Sequence, residues 1–144
     1  MWFATSLGAT QWKDNQFITY TSQSGLVSNE VFDIDQASDG SIWMATIAGA
    51  SHYTPATNTW YNYTTDDGLL DDFVSGIRVT PNGSVWFFYG GNFSQMIKPV
   101  SGGETVRWIH YSKYDPNTTR VPLGYIKTVE VAPDGTYWFG HLLV

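Results

Sequence analysis

One short pattern occurs four times along the 144 residues of this chain. It reads "DGSIWMAT" at 39–46, "NGSVWFFY" at 82–89 and "DGTYWFGH" at 134–141, and the chain opens on a headless copy, "MWFAT". Asp-Gly and Asn-Gly pairs favour tight two-residue hairpin turns, because such turns need positive φ at their central residues. Each copy therefore predicts two antiparallel strands joined at the turn. The repeated positions are Gly40, Gly83, Gly135, Trp2, Trp43, Trp86 and Trp138.

Two further strand patterns follow each tryptophan strand, and an alternating apolar stretch precedes each turn. Four short strands at a period of about 43 residues are the signature of a β-propeller blade. The sequence thus predicts an all-β fold, a β-propeller segment of about three four-stranded antiparallel blades that is incomplete at both ends. We expect one domain over 1–144, made of a partial blade 1–20, blades 21–63 and 64–111, and a partial blade 112–144. The repeated tryptophan is then expected to pack between neighbouring blades.

Composition argues against several classes of function. The formal net charge is −6 and the basic residues form no run, which disfavours a sequence-independent nucleic-acid binder. The chain has no cysteine, so neither a disulfide nor a thiolate metal site can form. No apolar run approaches the ~20 residues of a membrane helix, and no secretion signal is visible at the N-terminus. We therefore expect no nucleic-acid partner and no membrane contact within this segment.

A longer pattern surrounds two of the repeats. It reads "YTSQSGLVSNEVFDI" at 20–34 and "YTTDDGLLDDFVSGI" at 63–77, and each copy runs on into the turn and tryptophan strand. This arrangement resembles the two-component regulator propeller repeat, the family that forms the periplasmic sensor propellers of bacterial hybrid histidine kinases. The match weakens after residue 90, where Asn92 replaces the glycine found at Gly8 and Gly49. The resemblance implies an extracytoplasmic, non-enzymatic sensing or binding module without a cofactor.

A second resemblance, to streptogramin lyases, rests on "PDGTYWF" at 133–139 and "PNGSVWF" at 81–87. Those propeller enzymes need histidines and a carboxylate around a magnesium ion. The histidines of this chain, His52, His110 and His141, occupy ordinary repeat positions, and His141 alone ends a tryptophan strand beside a loop. The alternatives to a sensor are therefore a lyase-like enzyme that uses His141 with acidic loop residues and a divalent metal, or a purely structural surface repeat. We predict no catalytic residue and no metal site.

The candidate ligand contacts lie in loops. In propellers, the connections from the fourth strand to the next blade share a face with those from the second strand to the third, and loops on a rigid scaffold carry recognition. Hydrogen-bonding groups beside aromatic rings suit a small molecule such as a carbohydrate. The other partners that we expect are the remaining blades of a longer propeller, or copies of this chain. The predicted ligand contacts are Asn29, Glu30, Asp71, Asp72, Tyr89, Asn92, Phe93, Arg120 and Tyr125.

Overall fold

The computed structural model describes residues 1–98, 105–112 and 125–142. Its strands form four antiparallel sheets, which we number blades 1 to 4 in chain order. The prediction of an all-β segment built from blades of this kind is confirmed. Within the described ranges the helical residues are confined to two short 3₁₀ turns, Ser22–Ser24 and Thr65–Asp67. Blade 1 is β1 (Trp2–Thr5), β2 (Gly8–Lys13) and β3 (Gln16–Tyr20); blade 2 is β4 (Val31–Gln36), β5 (Ile42–Thr46), β6 (Gly49–Thr54) and β7 (Thr59–Tyr63); blade 3 is β8 (Gly76–Val79), β9 (Val85–Phe88), β10 (Phe93–Ile97) and β11 (Arg107–Tyr111); blade 4 is β12 (Tyr125–Val131) and β13 (Tyr137–Leu142).

The Asp-Gly turns differ from the predicted two-residue hairpins. In blade 2 the amide of Gly40 donates to the carbonyl of Ala37 at 2.9 Å, and the amide of Ala37 donates to the carbonyl of Ser41 at 2.9 Å. The loop therefore holds three residues, of which the glycine alone has positive φ, at 83°. A three-residue hairpin needs a single left-handed residue at its end, whereas the tighter primed turns need more. Asp39 accepts a hydrogen bond from the amide of Ser41 at 2.9 Å, which explains the acid before the glycine.

Three hydrophobic clusters lie in the seams, our term for the interfaces between neighbouring blades. In the seam between blades 2 and 3, Trp43 packs with its ring centroid 6.0 Å from that of Phe87. In the next seam, the ring of Trp86 lies 5.5 Å from that of Phe139. Trp43 and Trp86 are buried, as expected for residues that pack between blades. The clustered buried residues are Ala9, Leu26, Val31, Ile42, Met44 and Tyr53 in the first seam, Trp43, Ala45, Ala50, Leu69, Val74, Ile77, Val85, Phe87 and Met96 in the second, and Trp86, Phe88, Phe93, Ile126 and Val129 in the third.

The fourth repeated tryptophan departs from the prediction of core packing. Trp138 is 67% exposed, whereas Trp43 is fully buried. The reason is the direction of packing along the chain. The repeated tryptophan of each blade faces the following blade, which covers it. Among the described residues no further sheet lies over blade 4, so the indole of Trp138 faces outward.

Candidate ligand-binding face

Two long connections build the face that the sequence singles out. They are 21–30, which joins blade 1 to blade 2, and 64–75, which joins blade 2 to blade 3. Each begins with a 3₁₀ turn closed by a left-handed glycine, Gly25 at φ 117° and Gly68 at φ 110°. A Cβ at Gly68 would lie 2.6 Å from Nε1 of Trp108, so this glycine also makes room for an indole of the outer strand. The connections are therefore ordered parts of the scaffold.

Asn29 and Asp72 hold these connections closed. Oδ1 of Asn29 accepts a hydrogen bond from the amide of Ser22, and Oδ1 of Asp72 accepts one from the amide of Thr65, both at 2.7 Å. The two residues occupy the same position of the repeat, 43 residues apart. Both are predicted ligand contacts, and in the structure one side-chain oxygen of each accepts a backbone hydrogen bond within its own connection.

Tyr89 and Phe93 are also largely committed to packing. The hydroxyl of Tyr89 accepts a hydrogen bond from the amide of Leu70 at 3.4 Å, and burial raises the pKa of this tyrosine to about 12. Phe93 is the first residue of β10 and is 3% exposed, with its ring stacked on Tyr111 at 4.7 Å. The prediction of Phe93 as a loop contact is therefore corrected to a core residue, because the third seam takes up its ring.

The other predicted contacts fall into three groups. The side chains of Glu30 and Asp71 are exposed, and Oδ1 of Asp71 accepts a hydrogen bond from the amide of Phe73 at 2.9 Å. Asn92 is half-buried, and its Oδ1 has no hydrogen-bond partner among the described residues. Arg120 lies outside the described residues. Tyr125 begins β12, and its side chain lies outside the described part.

The structure adds an aromatic pair that the sequence analysis missed. Phe32 and Phe73 are 39% and 44% exposed, and their ring centroids lie 5.3 Å apart in an edge-to-face arrangement. The register of β4 shifts between Val31 and Asp33, so Phe32 sits at an irregularity in the strand. The sequence signal was a phenylalanine two residues after an acid, in "NEVF" at 29–32 and "DDF" at 71–73.

The turn between β5 and β6 joins the two segments that carry this pair. The amide of Ile47 donates to the carbonyl of Glu30 at 3.3 Å, and the amide of Val74 donates to the carbonyl of Thr46 at 3.0 Å. Ile47 itself is 45% exposed. We call Phe32, Phe73 and Ile47, with the flanking carboxylates of Glu30 and Asp71, the aromatic patch. It combines exposed apolar surface with hydrogen-bond acceptors, which is the composition of a recognition surface.

The inner strands hold a second feature, a charged cavity. Asp35, Arg78 and Glu130 each stand five residues before a turn glycine, in blades 2, 3 and 4 respectively. Together with residues 34, 79–81, 129 and 131 they line a cavity of about 510 Å³. One sequence signal, a charged residue repeated five positions before each turn glycine, could have identified it.

Two carboxylates of β4 accept hydrogen bonds from amides of β8, the facing strand of blade 3. Oδ2 of Asp33 accepts a hydrogen bond from the amide of Ile77 at 3.1 Å and lies 3.3 Å from Nη1 of Arg78. Oδ2 of Asp35 accepts a hydrogen bond from the amide of Val79 at 2.7 Å. These carboxylates satisfy amides on the inner edge of blade 3, and the charge of Arg78 is already paired. The cavity wall is therefore built largely from groups with structural partners.

The histidines with described side chains also have structural surroundings. The ring of His52 stacks on Trp43 at 4.3 Å, and Nδ1 of His110 lies 2.8 Å from Oγ of Ser94. The side chain of His141 lies outside the described part of the chain. Within the described residues, no three histidine, aspartate or glutamate side chains come together as metal ligands.

Comparison with solved structures finds proteins that contain a similar arrangement of strands. The chain superposes on the extracellular domain of a candidate hybrid two-component system from B. thetaiotaomicron with a TM-score of 0.67 and 22% identity, over 96% of this chain and 18% of that one. It has the fold of a β-propeller segment. The predicted resemblance to two-component sensor propellers is thereby confirmed at the level of fold. No family model and no curated protein matches the sequence.

Two further propeller-like neighbours have different roles. PorZ, a surface component of the type-IX secretion system of Porphyromonas gingivalis, superposes with a TM-score of 0.68 and 20% identity, over 94% of this chain and 21% of PorZ. Virginiamycin B lyase from Staphylococcus aureus superposes with a TM-score of 0.61 and 19% identity, over 97% of this chain and 44% of the enzyme. The segment thus spans less than half of each of these neighbours. No described helix of the segment is long and apolar enough to cross a membrane.

Proposed function

We propose that this chain is a non-enzymatic, extracytoplasmic ligand-binding segment of a sensor propeller, located in the periplasm or at the cell surface. The observation that carries the proposal is the aromatic patch, where two exposed phenylalanine rings and two carboxylates share the face formed by the blade connections. Support for a sensing role comes from the fold likeness to extracellular domains of two-component systems. Binding would shift the population of conformations that the rest of the protein reads.

A carbohydrate is the ligand class that best suits this surface. Aromatic faces pack against the apolar C–H faces of a sugar ring, while carboxylate oxygens accept hydrogen bonds from its hydroxyl groups. The net charge of −6 disfavours an anionic ligand approaching from solution. A neutral oligosaccharide therefore matches the patch better than a phosphorylated or acidic compound.

The lyase-like alternative is supported by fold likeness alone, through the streptogramin and virginiamycin lyases. It would require His141 and acidic loop residues to bind a divalent metal. None of the described contacts favours that chemistry over the patch, so we do not adopt it as the function.

Titration with neutral oligosaccharides tests the proposal. The wild-type chain is titrated calorimetrically with maltohexaose, cellohexaose and xylohexaose, and then compared with Phe73→Ala and Phe32→Ala. We expect at least one sugar to bind, and either substitution to weaken that binding by at least about tenfold, since a stacking ring is worth on the order of 1–3 kcal/mol.

Phe17→Ala is the matched control, because Phe17 is an exposed phenylalanine (66%) on the outer strand of blade 1, away from the patch. It should bind like the wild type. Absence of binding to all three sugars would refute the carbohydrate proposal. Equal losses in Phe17→Ala and Phe73→Ala would show that the patch is not the binding surface.

A further inference from the structure

Every seam between blades is built from the same positions of the repeat. Each blade has two faces, of which one carries the repeated tryptophan and the other carries the residues directly before and after that tryptophan. In a seam, the tryptophan face of one blade packs on the other face of the next blade. Trp86 shows this arrangement, because its ring lies 5.2 Å from Tyr137 and 5.5 Å from Phe139, the neighbours of Trp138. Trp43 contacts Phe87 in the same way. The seams are therefore repeated copies of one interface.

One exposed face of blade 1 consists of residues that this interface normally buries. Phe3, Trp12 and Phe17, which we call the Phe17 face, are 40%, 37% and 66% exposed. At the same positions of blade 2 stand Met44, Tyr53 and Trp60, which belong to the first seam, where Met44 is 0% and Tyr53 5% exposed. The rings of the Phe17 face already pack on one another, with Trp12 4.5 Å and Phe3 6.1 Å from Phe17. Within the part of the chain that the structure describes, no sheet covers this preformed apolar surface.

The complementary face is exposed on blade 4. Trp138 is 67% exposed, although Trp43 and Trp86 at the same position are 0% and 2% exposed. Gly140 follows on the same side of β13 and is also exposed. We call this the Trp138 face. The chain therefore presents both halves of its own seam at opposite ends of the row of blades.

We propose that the Phe17 face of one copy of this chain docks on the Trp138 face of a second copy, and forms an additional seam between two molecules. The argument is continuity, because the contact reuses positions that pack together three times within the chain. Trp138 would meet Phe3 as Trp43 meets Phe87. Since the two faces differ, the contact is heterologous, and a dimer joined by a single contact of this kind leaves one face of each kind free. Assembly can therefore continue head to tail.

Sedimentation of single-face variants tests this arrangement. Phe17→Ser removes one face and Trp138→Ser removes the other, and both side chains are exposed, so neither substitution disturbs a buried core. Leu7→Ser is the matched control, because Leu7 is 77% exposed in the β1–β2 turn and belongs to neither face. Circular dichroism and thermal unfolding confirm that each variant folds like the wild type.

We expect the wild type and Leu7→Ser to form concentration-dependent oligomers, and each single-face variant alone to be monomeric. The apparent dissociation constant should rise at least thirtyfold in each variant, as for loss of an aromatic hot spot. An equimolar mixture of the two variants should form a species of twice the chain mass and nothing larger, because each variant retains one complementary face. A wild type that is monomeric at about 100 µM would overturn the proposal and assign these faces to another partner. Assembly of either variant alone at wild-type affinity, or failure of the mixture to pair, would equally overturn it.

Discussion

His52 makes the stability of the seam between blades 2 and 3 depend on pH. Its ring stacks on Trp43, and Nζ of Lys98, from blade 3, lies 4.8 Å from the centre of the same indole. Nε2 of His52 is buried without a hydrogen-bond partner among the described residues. Burial, followed by the nearby charge of Lys98, lowers the pKa of His52 from 6.5 to about 4, while Asp39 acts weakly in the opposite direction. The folded protein thus keeps this ring neutral at pH values where an unfolded chain would protonate it.

The sign and size of the effect follow from this difference. Between pH 6.5 and about 4 the unfolded chain binds the proton and the folded chain does not, so stability is highest above this window and is lost as the pH falls through it. The full difference in pKa corresponds to about 3 kcal/mol. Because the imidazole is only half enclosed and water screens part of the effect, we expect a loss of about 1–2 kcal/mol between pH 7 and pH 4.

Urea unfolding of the wild type and His52→Gln at pH 7, 5.5 and 4.5 measures this loss. Glutamine is the natural control, since Gln11 and Gln95 occupy the same repeat position in blades 1 and 3. The variant should lose less stability than the wild type as the pH falls, and the difference between the two is the contribution of His52. Identical pH profiles would refute the reasoning, and would place His52 in a more hydrated environment than its contacts indicate.

Three further predictions concern packing and hydrogen bonds. Trp43→Ala should destabilise the fold by about 3–5 kcal/mol in urea unfolding, whereas Trp138→Ala should cost less than ~0.5 kcal/mol; equal costs would contradict the seam geometry. Asp72→Ala should cost about 1–2 kcal/mol because it leaves the amide of Thr65 unpaired, whereas Glu30→Ala should be near neutral in thermal unfolding. Asp33→Ala should cost about 1–2 kcal/mol and speed hydrogen exchange at the Ile77 amide, and unchanged exchange would exclude the bond.

The repeats predicted the architecture because the strands of one blade are close to one another in sequence. Each turn with its two strands is encoded within about 20 residues, and the hydrogen bonds of the Gly40 turn join residues close in sequence. The same locality explains the error in turn length. An Asp-Gly pair signals a left-handed glycine, but whether that glycine ends a two-residue or a three-residue loop depends on the pairing of the flanking strands.

The candidate site was harder to predict, because a polar or aromatic side chain in a loop can either contact a ligand or support the fold. Asn29 and Asp72 read as free polar groups, yet both accept amide hydrogen bonds across seven residues of the same connection. Phe93 read as a loop aromatic but lies in a seam with residues of another blade. The sequence analysis made no prediction for Phe32 and Phe73, because their pairing depends on an irregularity in β4 and on backbone hydrogen bonds between segments that are distant in sequence.

The carboxylates of Asp33 and Asp35 have a consequence for the evolution of this chain. They latch blade 2 to the amides of Ile77 and Val79 in blade 3, but the corresponding positions of blade 3 are Gly76 and Arg78, which cannot form the same latch with blade 4. Exchanging blade 3 with blade 2 would separate the acids from the amides that they satisfy. A second copy of blade 3 placed after the first would face Gly76 and Arg78, which would leave donors on its inner edge bare. The repeats are therefore not interchangeable modules. The polar contacts between blades depend on the order of the blades. Recombination of whole blades would therefore be more constrained at the junction of blades 2 and 3 than at the junction of blades 3 and 4.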